Sequence, residues 1–221
     1  MLFFKKIFKF FYWKFWDIRN KPPARPYGIY LYIGIPGQGK TISMTEHIFR
    51  LKKQFPKAKV FTNYGLNIQD GEITSVWDLI ELDNGSDGII FGFDEVQNTF
   101  SSRFWQNFPP EMIALLTQNR KKAKMFLCTT QHFQSIEVNF RRICNYVIEC
   151  RNFAGRWFFQ RAFLVESYKE SDTETKLRRR AWRYSFVADN DLFNSFDTYK
   201  VIDKLVDLNR LEHNIKKKTR A

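Results

Sequence analysis

The feature that most constrains this chain is a glycine-rich segment directly after an apolar run at residues 29–33. The pattern G-x-x-x-x-G-K-[ST] between a strand and a helix is typical of a phosphate-binding loop, because glycines let consecutive backbone N–H groups point at phosphate oxygens. The helix that follows directs its positive end at the same anion. The predicted nucleotide site is therefore Gly34, Ile35, Pro36, Gly37, Gln38, Gly39, Lys40, Thr41 and Ile42.

Two side chains at the end of this loop have distinct predicted roles. Lys40 supplies a positive charge for the β- and γ-phosphates of a nucleoside triphosphate. The hydroxyl of Thr41 is the expected ligand of a Mg²⁺ ion that accompanies those phosphates. ATP and Mg²⁺ are therefore the predicted cofactors.

An acidic pair follows a second apolar run, at residues 89–93. An aspartate at the carboxyl end of a neighbouring strand can hold Mg²⁺ opposite Thr41, and Asp94 is predicted to do so. Glu95 beside it can orient and deprotonate an attacking water. The pair indicates a hydrolase in which Lys40 and Glu95 are catalytic residues.

A glutamine and an arginine complete the predicted catalytic set. Gln131 lies just past a third apolar run, at residues 124–128, where it could contact the γ-phosphate or the attacking water. Phosphoryl transfer also needs a positive charge, often an arginine from an adjacent subunit. Four arginines are candidates between which the sequence does not choose: Arg103, Arg120, Arg141 and Arg142.

The alternation of apolar runs and helical patterns predicts a three-layer α/β fold around a mostly parallel sheet. The last two predicted strands form a hairpin with Gly155 near its turn. Strands are predicted at residues 29–33, 59–62, 89–93, 124–128, 146–150 and 157–159, and helices at 41–55, 76–81, 110–120 and 201–214.

Composition shifts divide the chain into three segments. Residues 1–26 form an N-terminal arm that ends in a proline-rich linker, residues 27–202 form the nucleotide-binding domain, and residues 203–221 form a basic helix or tail. Lys and Arg number 36 against 23 Asp and Glu, a formal charge of +13 that indicates a polyanionic partner, either nucleic acid or an anionic membrane. Candidate DNA contacts are Lys121, Lys122, Lys124 and the arginines at 178–180.

Residues 1–16 read MLFFKKIFKFFYWKFW, in which four lysines alternate with bulky apolar side chains. Such a segment suits the surface of an anionic membrane, but it could also dock on a partner protein such as a capsid vertex, or pack on its own domain. The segment is too short and too charged to span a bilayer, and it lacks the order of regions of a signal peptide. The expected location is the host cytoplasm or the virion, with peripheral attachment to a membrane as an option.

Several segments together resemble the zonula occludens toxin-like (Zot) branch of the FtsK/HerA superfamily of P-loop translocases. They are GIPGQGKT, IIFGFDEVQ, MIALLTQNRKKAK, MFLCTTQ, IEVNFRRICNYVIEC and the later NSFDTYKVI, over approximately residues 27–202. The resemblance implies a homo-oligomeric ring of six subunits, with nucleotide sites between subunits and DNA in the central channel. It also implies the phosphate, metal, catalytic and sensor roles for Lys40, Thr41, Asp94, Glu95 and Gln131.

One departure from the filamentous-phage members of that family bears on function. Those proteins usually carry a transmembrane helix after the ATPase domain, whereas residues 203–221 here are polar and basic. This departure argues against the export role and favours a cytoplasmic motor. The nucleotide site, the positive charge and the resemblance give the leading hypothesis, an ATP-hydrolysing DNA translocase that packages or exports a phage genome, on single- or double-stranded DNA. The alternative is a membrane-associated assembly factor that uses ATP as a conformational switch without threading DNA. A small-molecule kinase is disfavoured, because no acceptor-binding lid is evident.

Overall fold

Within the computed structural model, the described residues are 2–20, 24–75, 77–99, 110–169 and 180–197. Eight strands in these ranges form one sheet with the order β3-β2-β4-β5-β1-β6-β7-β8. The strands are β1 Gly28–Ile33, β2 Lys59–Thr62, β3 Gly71–Glu72, β4 Ile89–Phe93, β5 Lys124–Thr130, β6 Tyr146–Phe153, β7 Trp157–Leu164 and β8 Arg180–Val187.

The sheet has a parallel half and an antiparallel half. The strands from β3 to β6 pair in parallel, whereas β7 pairs antiparallel with both β6 and β8. The mostly parallel sheet expected from the sequence is therefore confirmed. Every residue of β4 and β5 is buried, as expected for parallel strands covered on both faces.

Helices cover the two faces of the parallel half, which makes three layers. Met44 and Ile48 of one helix pack against β1, β2 and β4 on one face. Leu116 and Phe140, from two shorter helices, pack on the opposite face. The helices are α1 Leu2–Arg19, α2 Lys40–Gln54, α3 Asp78–Glu81, α4 Val96–Thr99, α5 Pro110–Thr117, α6 Val138–Ile143, α7 Val165–Lys169 and α8 Asn190–Phe193.

Most predicted elements are present with shifted ends. The predicted hairpin extends well beyond residues 146–150 and 157–159, and the helix expected at 76–81 is the single turn α3. Strand β8 was not predicted from the sequence. The helix expected at 201–214 and the tail at 203–221 lie outside the described residues.

Residues 2–19 of the N-terminal arm form helix α1, and none of the side chains described in this helix is buried. These side chains are therefore not part of the core of the described domain. In the described part of the chain, no helix combines the length and apolarity that a bilayer crossing requires.

Candidate nucleotide-binding site

The glycine-rich loop connects β1 to α2 at the carboxyl edge of the sheet, between the ends of β5 and β6. Gly39 caps α2 with φ of 78°, in the left-handed region that favours glycine. A Cβ at this position would lie 2.3 Å from two carbons of the Phe158 ring. The last glycine of the loop is therefore required both by its backbone angle and by the ring of β7 packed beside it.

Asn152, near the tip of the β6–β7 hairpin, holds the loop in place from one side. Its side-chain Nδ2 donates a hydrogen bond to the carbonyl oxygen of Gly37 at 2.7 Å. Its backbone N–H donates to Oε1 of Gln38 at 3.2 Å. The antiparallel part of the sheet thereby contacts the nucleotide loop directly.

Lys40 and Thr41 open α2 and face the acidic pair at the end of β4. Lys40 is 6% exposed, and its Nζ lies 3.9 Å from Oε1 of Glu95. The Thr41 hydroxyl donates a hydrogen bond to Oδ1 of Asp94 at 2.9 Å. The structure thus brings together two pairs of adjacent residues, and the two pairs are 53 or more positions apart in the sequence.

Asp94 accepts a second hydrogen bond, from the hydroxyl of Thr129 in β5 at 2.6 Å. Burial raises the pKa of this carboxyl above its ordinary value, while the hydrogen bonds from Thr129 and Thr41 lower it. A bound cation favours the ionised carboxylate. The charge of Asp94 is therefore costly without a cation and favourable beside one.

The backbone around the acidic pair is fixed by side chains from two neighbouring strands. The amide of Asn63, after β2, donates to the carbonyl of Asp94 at 3.1 Å and accepts from its N–H at 2.8 Å. Glu95 has φ of 51°, a conformation uncommon outside glycine, and its N–H donates to the Thr129 hydroxyl at 2.8 Å. Gln97 also donates a hydrogen bond to the Glu95 carboxylate. The unusual backbone conformation aims the carboxylate of Glu95 towards Lys40.

The donor set fits a magnesium ion. Mg²⁺ prefers hard oxygen ligands and usually binds one or two protein groups together with phosphate oxygens and water. Thr41 and Asp94 offer a hydroxyl and a carboxylate oxygen 2.9 Å apart beside the loop. Among the described residues there is no cluster of three or more His, Cys, Asp or Glu that would hold a metal without a nucleotide. Thr41 and Asp94 would leave the other coordination positions of the ion to phosphate oxygens and water.

Gln131 follows β5 directly and lines the same cleft as the nucleotide loop. The cleft has a volume of about 520 Å³, and its lining includes Gly34, Ile35 and Gln38 as well as Gln131. The side chain of Gln131 is exposed. The predicted sensor residue is thus at the carboxyl edge and next to the loop, as the sequence led us to expect.

Comparison with known proteins places this architecture in a family. The profile of the Zonular occludens toxin (Zot) family matches residues 44–185, which is more than half of the chain. The chain belongs to the Zot family. Its matched region includes Asp94, Glu95 and Gln131 and begins after the glycine-rich loop.

Two solved structures are similar to this chain. The N-terminal domain of zonular occludens toxin from Neisseria meningitidis is similar with a TM-score of 0.57 and 18% identity, over 79% of this chain and 100% of that one. B204, the DNA-packaging ATPase from Sulfolobus turreted icosahedral virus, matches with a TM-score of 0.48 and 12% identity, over 72% of this chain and 98% of that one. The fold assignment rests on the first of these. A comparison with curated proteins found no match.

The candidate arginines of this Zot-family chain have different surroundings. Arg120 lies over the ring of Tyr27, with 5.5 Å from its guanidinium carbon to the ring centroid. Arg141 lies over the ring of Phe133 at 5.2 Å. Arg142 is exposed, whereas Arg103 lies outside the described residues. Of the described candidates, Arg142 carries neither of these ring contacts.

One predicted DNA contact is wrong. Lys124 is buried at the start of β5, where its Nζ donates to the carbonyl oxygens of Leu79 at 2.7 Å and Ile80 at 3.3 Å. Its charge therefore stabilises the end of α3 and is not available to a phosphate backbone. Lys121 and Lys122 are exposed, as is Arg180, while residues 178 and 179 lie outside the described ranges.

Ile42 was predicted as part of the nucleotide site, but its side chain does not line that site. Its side chain is buried against Phe158 and Ala188. Only its backbone could contribute to a phosphate site, since the side chain belongs to a small apolar cluster beneath the loop.

Three polar residues near the site were missed by sequence reasoning: Thr129, Asn63 and Asn152. Each lies within one residue of the carboxyl end of a strand, so a polar residue at that position was the available signal. Their roles depend on which strands are neighbours, which the sequence does not state. Thr129 belongs to a polar edge that also contains Gln131, and it is the residue in contact with both members of the acidic pair.

Proposed function

We propose that this Zot-family protein is an ATP-hydrolysing DNA translocase of a phage or mobile element, which packages the viral genome or drives its export. The observation that carries the proposal is the convergence of Lys40, Thr41, Asp94 and Glu95 at one edge of the sheet. These are the residue types that hold a triphosphate and activate a water. A site that only sequestered a nucleotide would not need the glutamate.

Each group has a definite task in this reaction. The loop N–H groups and Lys40 hold the phosphates and oppose the charge that develops on the transferred phosphoryl group. Glu95 orients the attacking water and accepts its proton. Mg²⁺, when bound by Thr41 and Asp94, supplies a positive charge to the phosphate oxygens. Thr129 and Asn63 position the acidic pair without touching the substrate.

The charge of the chain supports DNA as the cargo. A formal charge of +13 attracts a polyanion, and contacts to a phosphate backbone are largely independent of sequence, as translocation requires. By the family resemblance, the protein forms a homo-oligomeric ring in which the neighbouring subunit supplies an arginine to the nucleotide. Arg142 is the described candidate that is exposed and outside the ring contacts above.

The test is ATP hydrolysis by the full chain with and without single- and double-stranded DNA. We expect DNA to stimulate phosphate release, and we expect Lys40→Ala to abolish it. Lys53→Ala removes an exposed lysine of the same helix and serves as the matched control. Phosphate release that DNA does not change, or that survives Lys40→Ala, contradicts the proposal.

Helix α1 favours a second candidate, a membrane-associated assembly factor. At helical spacing, one face of α1 is entirely apolar, and the opposite face carries Lys5, Lys6 and Lys9 together with Trp13 and Trp16. This arrangement is typical of a helix that lies in the interface of an anionic bilayer. The apolar face consists of Phe4, Ile7, Phe8, Phe11, Phe15 and Ile18, all of them exposed.

Flotation of the full chain with vesicles separates the two candidates. We expect binding to vesicles that contain anionic lipid, and about a tenfold loss of partitioning for Phe11→Ser. Phe153→Ser is the matched control, because both phenylalanines are 64% exposed. Vesicle binding without DNA-stimulated hydrolysis would favour the assembly factor, whereas both together would indicate a tethered motor.

A further inference from the structure

Strands β6, β7 and β8 present a regular grid of side chains on the face turned away from α2. Their other face is closed, since Gln160 donates a hydrogen bond to the carbonyl of Ser43 and Tyr184 donates one to Glu46. The strand register aligns the open face in three rows. The rows are Glu149, Arg161 and Arg183, then Arg151, Phe159 and Ser185, then Phe153, Trp157 and Val187.

The first two rows concentrate positive charge. Arg161 stands directly opposite Arg183, and Arg151 lies one row away, all three exposed. Like charges directly opposite each other on a sheet oppose its formation. Glu149 is in the same row but accepts a hydrogen bond from Tyr168 at 3.3 Å. Among the described residues, neither Arg161 nor Arg183 takes part in an ion pair.

Aromatic rings lie beside these arginines. The rings of Trp157 and Phe159 have centroids 5.0 Å apart and planes inclined by 33°. Trp157 is 46% exposed, and Phe153 next to it is 64% exposed. Large exposed rings on an open sheet surface leave their faces or edges available to a planar ligand.

We propose that this open face binds single-stranded DNA, with the arginines on phosphates and the rings stacked on bases. The proposal rests on the function proposed above and names the form of DNA that the chain contacts. Bases can stack on a protein ring only when they are unpaired, and an aromatic sheet surface with flanking cations is suited to single strands. A duplex keeps its bases inside and would leave the aromatic rows without a partner.

The position of the face connects it to the nucleotide site. Arg151 lines both the groove on this face and the cleft that contains the glycine-rich loop. Asn152, the next residue, is hydrogen-bonded to Gly37 of that loop. A DNA strand bound on the open face would therefore lie close to the nucleotide, because Arg151 and Asn152 are adjacent in β6.

Fluorescence anisotropy of the full chain with a labelled oligothymidylate, and with a duplex of equal length, tests the proposal. We expect Arg161→Ala/Arg183→Ala to weaken single-strand binding at least tenfold and to reduce the salt slope by about 1.4, since roughly 0.7 is lost for each phosphate contact. We expect Trp157→Ala to weaken binding about tenfold with an unchanged salt slope. Lys53→Ala/Lys57→Ala removes two exposed charges elsewhere and is the matched control.

Three results would overturn the proposal. The first is an equal loss of affinity in the lysine control, and the second is an equal loss for the duplex. The third is a change in the mass of the DNA-free protein in the arginine or tryptophan variants, because that would make this face a subunit interface. Failure of the proposed function would look different. In that case the open face would bind single strands as described, while no DNA would stimulate phosphate release.

Discussion

The parallel and antiparallel halves of the sheet differ in how their faces are used. In the parallel half both faces are buried under helices, and the chemistry is confined to the carboxyl edge of the strands. In the antiparallel half one face packs on α2, and much of the other face is open to solvent. The covered half fixes a few groups within hydrogen-bonding distance of one another, whereas the open half offers a broad surface for a partner.

The largest effect is expected at the edge of the parallel half. Glu95→Gln keeps the size of the side chain but removes the base that accepts the proton of the attacking water, so ATP hydrolysis should fall roughly thousandfold. Nucleotide binding should persist, because the loop and Lys40 are intact. Phosphate release and binding of a fluorescent nucleotide measure the two properties. Glu81→Gln, on an exposed helix end, is the control, and an equal loss there would contradict the assignment.

Two adjacent phenylalanines of β7 compare the faces of the antiparallel half directly. Phe158 is 3% exposed and packs on the Gly39 loop end, whereas Phe159 points to the open face and is only partly buried. Phe158→Ala should reduce the free energy of unfolding by about 3 kcal/mol, and Phe159→Ala by about 1 kcal/mol. Urea denaturation measures both. Equal losses would mean that the open face is covered in solution.

The third prediction concerns His47, which lies beneath β1 in the covered half. Burial lowers the pKa of His47 to about 3, and its Nδ1 is hydrogen-bonded with the hydroxyl of Tyr32. The folded pKa lies below the unfolded value of about 6.5, so between these two pH values His47 is protonated in the unfolded chain and neutral in the folded one. The free energy of unfolding therefore decreases as the pH falls from about 6.5 towards 3. Between pH 7 and pH 5 the loss should be about 2 kcal/mol.

His47→Gln removes this titration and gives the matched control. The variant should lose about 2 kcal/mol less than the original chain between the two pH values, as measured by urea denaturation at each. A parallel decline of both proteins would show that other groups cause the pH dependence.

The smallest effect is expected from the positioning threonine. Thr129→Val removes the hydroxyl that accepts from the Glu95 N–H and donates to Asp94, so hydrolysis should fall about tenfold while the fold persists. Thr130→Val is the neighbouring control, since the Thr130 hydroxyl donates to the carbonyl of His132 instead. Steady-state phosphate release, with a thermal melt of each variant, makes the comparison. Equal rates of phosphate release in the two variants would contradict a positioning role for Thr129.

The sequence was most informative where a single segment contains a complete local pattern. The glycine-rich loop, the buried runs β4 and β5, and the acidic pair could be predicted because each is a local pattern with a specific chemistry. Strand β8 was not predicted, because Trp182, Tyr184 and Phe186 alternate with exposed residues directly beside a run of arginines that is typical of a solvated segment. The prediction that Lys124 contacts DNA was wrong because a lysine at the start of a strand is ordinarily solvated, whereas this one is bonded to a buried carbonyl.

The remaining features depend on neighbours that no local pattern reveals. Asn63 reaches Asp94 because β2 is next to β4, and Thr129 does so because β5 lies on the other side. The open face depends on the register of three strands and on α2 covering only one side of them. Strand order is a property of the whole core, so single-sequence reasoning could place polar residues at the edge but could not pair them.

The contact of Asn152 and Phe158 with the glycine-rich loop has a mechanical meaning. A load that pulls on β6 or β7 would reach the loop through one hydrogen bond at Gly37 and one ring packed against Gly39. Both contacts join residues far apart in the sequence, and they lie beside the junction of the two halves of the sheet. The loop that grips phosphate is therefore also the place where tension on the antiparallel strands would be felt first.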